Sequence, residues 1–253
     1  MKFVTFNIRY DCNLDGENNF CFRKPLILKK IKQEKPDIIC FQEVLAHVAV
    51  WMKENLTDYY VVGCGRNKEL GNEQEPVAFL KDRYNLIRME TYWLSETPDV
   101  PGSRYPEQSV CPRVCTEVVL QDLESGKVFR LINTHLDHTG SLARKLGIGQ
   151  ILKKLETEKF FPQAPVILAG DFNARPDSEE IQLLEQYPGV VNVTKGIGTT
   201  FHDFGRRETC IDYIFGKDGI VGSNVEKWTD VENGVYLSDH YPLCAHLEFN
   251  EQA

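Results

Sequence analysis

The chain has 253 residues, 42% of them hydrophobic and 26% charged, with a formal net charge of −8. That balance suits a folded chain with a large core and excludes a low-complexity or disordered class. The acidity, with no basic run denser than Lys29-Lys30-Ile31-Lys32, argues against a duplex-binding face, and no apolar stretch reaches the ~18–20 residues of a membrane span.

Taken in chain order, the pattern opens with a strand over 2–9, then an amphipathic helix over 23–34 whose Ile27 and Ile31 share one face. A buried strand follows at 37–42, a helix at 43–55, and strands at 59–63, 76–81 and 84–94. Segment 95–112, rich in Pro, Gly and Ser, reads as a long loop beside a site. Strands 114–122 and 127–135 are joined by the turn Glu124-Ser125-Gly126-Lys127. A helix over 141–158 and a strand over 165–170 come next. Ser178 before Glu179 and Glu180 marks the start of a helix over 178–186. Strands at 211–215, 220–228 and 241–249 close the chain.

Helices and strands interleave without strict alternation, and neighbouring strands pair as hairpins. The expected class is therefore α/β (α+β), with two mixed β-sheets packed face to face and helices outside. Residues 1–253 are read as one domain. Eight cysteines at 12, 21, 40, 64, 111, 115, 210 and 244 show no zinc spacing. With a strand beginning right after Met1, no signal peptide is read, so reduced thiols and a cytoplasmic location are expected.

Two polar clusters stand at the ends of apolar runs: Gly170-Asp171-Phe172-Asn173 and Ser238-Asp239-His240. An ionised Asp171 can take a proton from water, and the Asn173 amide can hold the attacking oxygen without adding charge. The two would point the same way if the segment stays extended; a turn with Asx caps is the alternative. Asp239 and His240 are adjacent on a strand-like segment and should face apart. Asp212 sits in the apolar run Ile211-Asp212-Tyr213-Ile214, where a carboxylate needs a partner; His240 is the natural one. The pair would hold an imidazolium facing phosphate. Glu43, after Phe41-Gln42, and Asp239 are candidate Mg2+ ligands, since magnesium takes one or two carboxylates and keeps waters and phosphate oxygens. Mn2+ is a possible substitute. Asn7 completes the polar ring. The chain lacks G-x-x-x-x-G-K-[ST], H-E-x-x-H and G-x-S-x-G motifs.

Thr5-Phe6-Asn7, Phe41-Gln42-Glu43, Asn133-Thr134-His135, Gly170-Asp171-Phe172-Asn173, Ile211-Asp212-Tyr213 and Ser238-Asp239-His240 occur in this order. Together they resemble the endonuclease/exonuclease/phosphatase superfamily, the fold of pancreatic deoxyribonuclease, over residues 3 to about 249. Trp93-Leu94-Ser95-Glu96-Thr97-Pro98 and Asn133-Thr134-His135-Leu136-Asp137-His138 look like its small bacterial metal-dependent hydrolases.

The resemblance implies a four-layered α/β sandwich with pseudo-twofold halves, and metal-assisted attack of water on a phosphoester. It implies Glu43 as principal metal ligand with Asp239 and Asn7 close by, Asp171 and Asn173 on the water, and His240 with Asp212 on the scissile phosphate. His135 resembles a second catalytic histidine supported by a glutamate; Glu73 fits that partner best, with Glu75 close enough to confuse the assignment. Arg113 resembles a phosphate-contacting arginine, and Asn7 is a candidate substrate contact too. His138 and His202 are candidate substrate contacts that could equally be bystanders.

Arg9 stands where some members have a second acidic metal ligand, and Gly71 and Asn72 stand where the deoxyribonuclease has a groove-entering aromatic. The expected function is hydrolysis of a small soluble phosphodiester or phosphomonoester. A nuclease is the alternative, possible but not favoured by the acidic charge, and a sphingomyelinase-like lipid phosphodiesterase comes third. No protein partner is implied.

Overall fold

The structure, a computed structural model, describes residues 1–250. In chain order the elements are β1 (Lys2–Asn7), α1 (Phe20–Glu34), β2 (Ile38–Gln42), α2 (Ala46–Asn55), β3 (Tyr59–Val62), β4 (Val77–Leu80), β5 (Tyr84–Trp93), β6 (Val114–Asp122), β7 (Val128–His135), α3 (Ser141–Thr157), β8 (Val166–Asp171), α4 (Glu179–Glu185), β9 (Val190–Asn192), β10 (Asp212–Lys217), β11 (Ile220–Lys227), β12 (Val231–Glu232), β13 (Val235–Tyr236) and β14 (Leu243–Phe249). One six-stranded sheet runs β11-β14-β1-β2-β4-β3 and the other β5-β6-β7-β8-β10-β9; β12 and β13 form a small separate hairpin.

Each large sheet holds one parallel pair, β1 with β2 and β7 with β8. Those pairs are linked through α1 and α3, because a parallel pair needs a crossover connection. All other neighbours in the two sheets are antiparallel. The expected mixed sheets are thus present, with one β-α-β unit in each half.

Strand alternation builds the layers. In β1, Phe3 joins the core between the sheets, with Ile38, Cys40, Phe79, Leu131, Ile167 and Ile214, while Val4 and Phe6 turn outward under Ile27, Ile31, Val48 and Met52 of the helices. The second sheet repeats this, with Ile132 and Leu168 packed under Ile148, Ile151, Ile181 and Leu184. Near one end the inter-sheet core turns polar: Gln42 Nε2 donates to Asn133 Oδ1 at 2.7 Å, and Asn133 Nδ2 donates to Phe41 O at 2.7 Å and Pro76 O at 3.0 Å. This network pins the sheets together beneath the ends of β1, β2, β7 and β8, since buried polar groups are tolerated when their partners are fixed.

Two boundaries depart from the sequence pattern for identifiable reasons. Helix α1 starts at Phe20, because Asn19 caps it by accepting from Cys21 N at 3.0 Å. Helix α2 starts at Ala46 rather than 43, because Glu43 adopts φ 63°, which no helix accommodates. Strands β9, β12 and β13 are two or three residues long, too short to leave a periodic signal. All eight cysteines are unpaired. Among the described residues no helix is long and apolar enough to cross a membrane.

Candidate active site

The carboxyl ends of the two parallel pairs meet at one edge of the sandwich, the position where open α/β sheets gather ligands. Asn7 ends β1, Glu43 follows β2, His135 ends β7 and Asp171 ends β8. Asp212 opens β10 and lies opposite Asp171 in register. His240 approaches β14 next to Phe201, whose ring centroid is 4.8 Å away. These six expected site residues are therefore neighbours although they span the whole chain.

Gly170 is required by this arrangement. A Cβ there would come within 1.8 Å of Thr134 O, and its φ is +144°. Beyond it the chain does not stay extended: Asn173 has φ 47°, its N–H donates to Asp171 Oδ1 at 2.9 Å and its amide to Leu136 O at 3.0 Å. The Asx turn forms, and both residues still line the cleft. Glu43, like Asn173, holds a left-handed backbone just past a parallel strand. Non-glycine residues in that region concentrate at functional sites.

Asp171 is the centre of the cluster. Its Oδ2 accepts from Asn7 Nδ2 at 3.1 Å and lies 3.4 Å from His135 Nε2 and 3.8 Å from His240 Nε2. Burial, then the charge of Asp212, pushes its carboxyl up to about 7. His240 Nδ1 lies 2.8 Å from Asp212 Oδ2. Burial disfavours the imidazolium, but Asp212 outweighs it and lifts His240 to about 10. His135 is held neutral, well below its usual range, by burial and by Arg113 and Arg66. The two histidines thus differ in charge at neutral pH: one cation, one neutral ring.

Glu43 Oε1 accepts from Asn7 Nδ2 at 3.1 Å and Oε2 from Tyr10 N at 2.9 Å. Burial raises its carboxyl, but the Tyr10 N–H, His240 and Asn7 bring it net below the ordinary value. Asp239 is raised by burial and by Glu43. A half-buried and a buried carboxylate, mutually repelling on one cleft, form a hard-oxygen donor set that a divalent cation would relieve. Carboxylate and imidazole atoms of Glu43, Glu73 and His135 also lie within 4.8 Å of one another.

Asn7 differs from the expected ligand. Its amide bridges Glu43 and Asp171, and its Oδ1 accepts from Arg9 N at 3.0 Å, so it orients carboxylates and does not line the cleft. Arg9 Nε lies 3.7 Å from Asp239 Oδ2.

The partner of His135 also needs correction. Glu73 Oε1 accepts from Arg66 Nη2 at 2.7 Å, and Glu75 is the carboxylate facing His135 Nδ1, at 3.9 Å. At that separation there is no direct hydrogen bond. Burial lifts Glu75 to about 8, so it stands as a neutral acid. Arg113 is buried at the cleft wall, with Nη2 2.9 Å from His138 Nδ1, and both line the cleft. His202 does not. It is buried behind the wall, stacked on Tyr241 at 3.9 Å, and its Nδ1 accepts from Gly205 N at 3.2 Å. It serves as a packing and turn-capping residue.

The cleft has a volume of about 650 Å³ and is also lined by Arg66, Arg207, Asp203 and Phe201, none of which the sequence pattern singled out. Arg66 lies in Cys64-Gly65-Arg66-Asn67, which reads as a wet loop, and only its burial reveals it.

The chain belongs to the endonuclease/exonuclease/phosphatase family, whose pattern matches residues 4–240, and is an ester-bond hydrolase of that phosphoesterase family. Its structure is similar to an endonuclease/exonuclease/phosphatase from Bacteroides vulgatus, at 32% identity, 98% coverage of both chains and a TM-score of 0.92. It is similar also to the mannosyl-6-phosphatase of Bacteroides thetaiotaomicron, at 25% identity, covering 98% of this chain and 100% of that one, with a TM-score of 0.90. In sequence it is similar to Nocturnin of Xenopus laevis, 24% identical over 296 residues, covering 99% of this chain and 73% of that protein.

Proposed function

We propose that this chain is a divalent-metal-dependent phosphoesterase that hydrolyses a small soluble phosphate ester, with Mg2+ as the favoured ion and Mn2+ as a substitute. The observation that carries this reading is Asp171 Oδ2, placed between the Nε2 atoms of His135 and His240 and beside the Glu43 carboxylate. A base, a cation and an acidic pair converge on one cleft, as phosphoester hydrolysis requires.

Glu43 and Asp239 would hold the ion, with Asn7 fixing the Glu43 carboxylate. When bound, the ion supplies charge that polarises the phosphate and orients its oxygens. Asp171, with a carboxyl near 7, takes the proton of the attacking water, since a base works best near the operating pH. Asn173, fixed by Leu136 O, orients that water. The His240 imidazolium, held by Asp212, neutralises charge growing on phosphate.

Several features support a compact substrate: the 650 Å³ cleft, the net charge of −8, and the similarity to a sugar phosphatase. The acidic balance disfavours polyanionic nucleic acid. A cytoplasmic setting is part of the proposal and is supported by eight unpaired thiols.

The test is a panel of sugar phosphates, nucleotides, phospholipids, RNA and DNA, run with Mg2+, with Mn2+ and with chelator. Release of phosphate from small esters, abolished by chelator, is expected. Turnover confined to polynucleotides or lipids would overturn the substrate class, and turnover in chelator would overturn the metal. Glu43→Gln should raise the metal concentration needed for half activity; an identical metal titration would remove Glu43 from the ligands.

A further inference from the structure

Arg66 and Arg113 are 4% and 3% exposed, and both line the cleft. Their main chains are tied to consecutive residues: Trp93 Nε1 donates to Arg66 O at 2.6 Å and Leu94 N to Arg113 O at 2.8 Å. Each guanidinium spends one nitrogen locally, Arg66 Nη2 on Glu73 and Arg113 Nη2 on His138. On each, Nε and Nη1 have no hydrogen-bond partner. Asp137 is the nearest further carboxylate, 3.8 Å from Arg113 Nε, but its oxygens already accept from Ser109, Thr139 and Gly140.

The two positive charges fall on the same neighbours, Glu73, Glu75, His135 and His138. Each guanidinium has one carboxylate within ion-pair distance, Glu73 at 2.7 Å from Arg66 and Asp137 at 3.8 Å from Arg113, and each keeps unmet donors. A folded chain retains such groups where a ligand completes them.

We infer that Arg66 and Arg113 form one anion-binding edge of the cleft that receives the second negative charge of a terminal phosphate, so that the enzyme selects phosphomonoester dianions over phosphodiesters. This rests on the phosphoesterase reading above and narrows it. A dianion brings charge and acceptor oxygens for two guanidiniums, and planar forks suit phosphate. A diester brings one charge, and its second alkyl or aryl group would have to lie against donors that then stay unpaired.

The experiment compares 4-nitrophenyl phosphate with bis(4-nitrophenyl) phosphate in wild type, Arg66→Met and Arg66→Lys, with Mg2+ present. Binding of inorganic phosphate is followed by calorimetry. Wild type should prefer the monoester. Arg66→Met should lose about 10- to 100-fold in monoester kcat/KM, the worth of one charged hydrogen-bonding group, chiefly through KM. Its loss of diester kcat/KM should be at least about threefold smaller than its loss on the monoester, and phosphate should bind about tenfold more weakly. Arg66→Lys, which keeps the charge should the Met variant misfold, should fall between. A wild-type preference for the diester, equal losses on both substrates, or unchanged phosphate affinity would each overturn the edge. Failure of wild type on both esters would instead count against the small-ester reading above, while the calorimetry would still decide the edge.

Discussion

His240 Nδ1 and Asp212 Oδ2, 2.8 Å apart and both buried, bind the start of β10 to the turn entering β14. The pair raises His240 to about 10 from an unfolded value near 6.5. A raised histidine stabilises the fold fully below its unfolded value, and that contribution is lost as pH rises through about 10. We predict that Asp212→Asn lowers Tm most at pH 6–7, and that the gap from wild type narrows toward pH 10. Melts in chelator across that range would check it, and a gap constant with pH would remove the ion pair as its cause. The same variant should lose ~10²-fold or more in kcat, the scale of a misplaced acid–base group.

Glu73 and Glu75 make opposite predictions although they are two residues apart. Glu75 is a neutral acid below about pH 8, so Glu75→Gln replaces one uncharged group by another. Activity at pH 7 should stay within about threefold of wild type. Glu73→Gln removes the negative charge that Arg66 pairs with and should change KM for the phosphate ester. Steady-state kinetics of both variants decides between them: a collapse in Glu75→Gln with Glu73→Gln silent would restore a charged Glu75 as the support of His135.

Gly170 gives a prediction about stability. A methyl group there would meet Thr134 O at 1.8 Å in the adjacent parallel strand, at a φ of +144°. Neither backbone can yield without breaking the β7–β8 ladder. Gly170→Ala should cost about 3 kcal/mol or more, in the range of severe strain and overpacking. Denaturant unfolding measures this, and a loss under ~1 kcal/mol would show that the strands can separate locally.

These cases mark what the sequence carries. Apolar runs ending in Asn7, Glu43, His135 and Asp171 reveal strands and the edge they share, because periodicity and polarity are local properties. The Asp212–His240 pair is legible because a carboxylate inside Ile211-Asp212-Tyr213-Ile214 demands a partner. Arg66 is illegible because burial of a loop arginine depends on which strand end lies over it, here Trp93. Glu73 and Glu75 share one side of an extended segment, and only the capture of Glu73 by Arg66 separates them. The turn at Asn173 is a backbone choice between two conformations that the residue type permits.

Arg23 extends the same logic to a residue outside the cleft. It lies on α1, fully buried, and forms no ion pair with a carboxylate among the described residues. Its guanidinium donates to Ile8 O at 2.5 Å, Arg9 O at 3.0 Å, Asn18 O at 2.6 Å and Leu237 O at 3.1 Å. Ile8 follows Asn7, and Leu237 stands two residues before Asp239, so one side chain fixes the spacing between both ends of the carboxylate site. Ser238 Oγ reinforces it by donating to Asn7 O at 2.7 Å. A lysine keeps the charge but offers a single ammonium that cannot reach four carbonyls in a planar fork. We predict that Arg23→Lys weakens Mn2+ binding about tenfold, as loss of roughly one charged hydrogen bond would. Arg23→Met, which removes the charge as well, should weaken it further. Titration calorimetry on the metal-free protein, beside thermal melts, separates the outcomes. Weaker binding in both variants would make Arg23 a positioning residue for the metal site, and a lowered Tm with unchanged Mn2+ affinity would confine it to holding the fold.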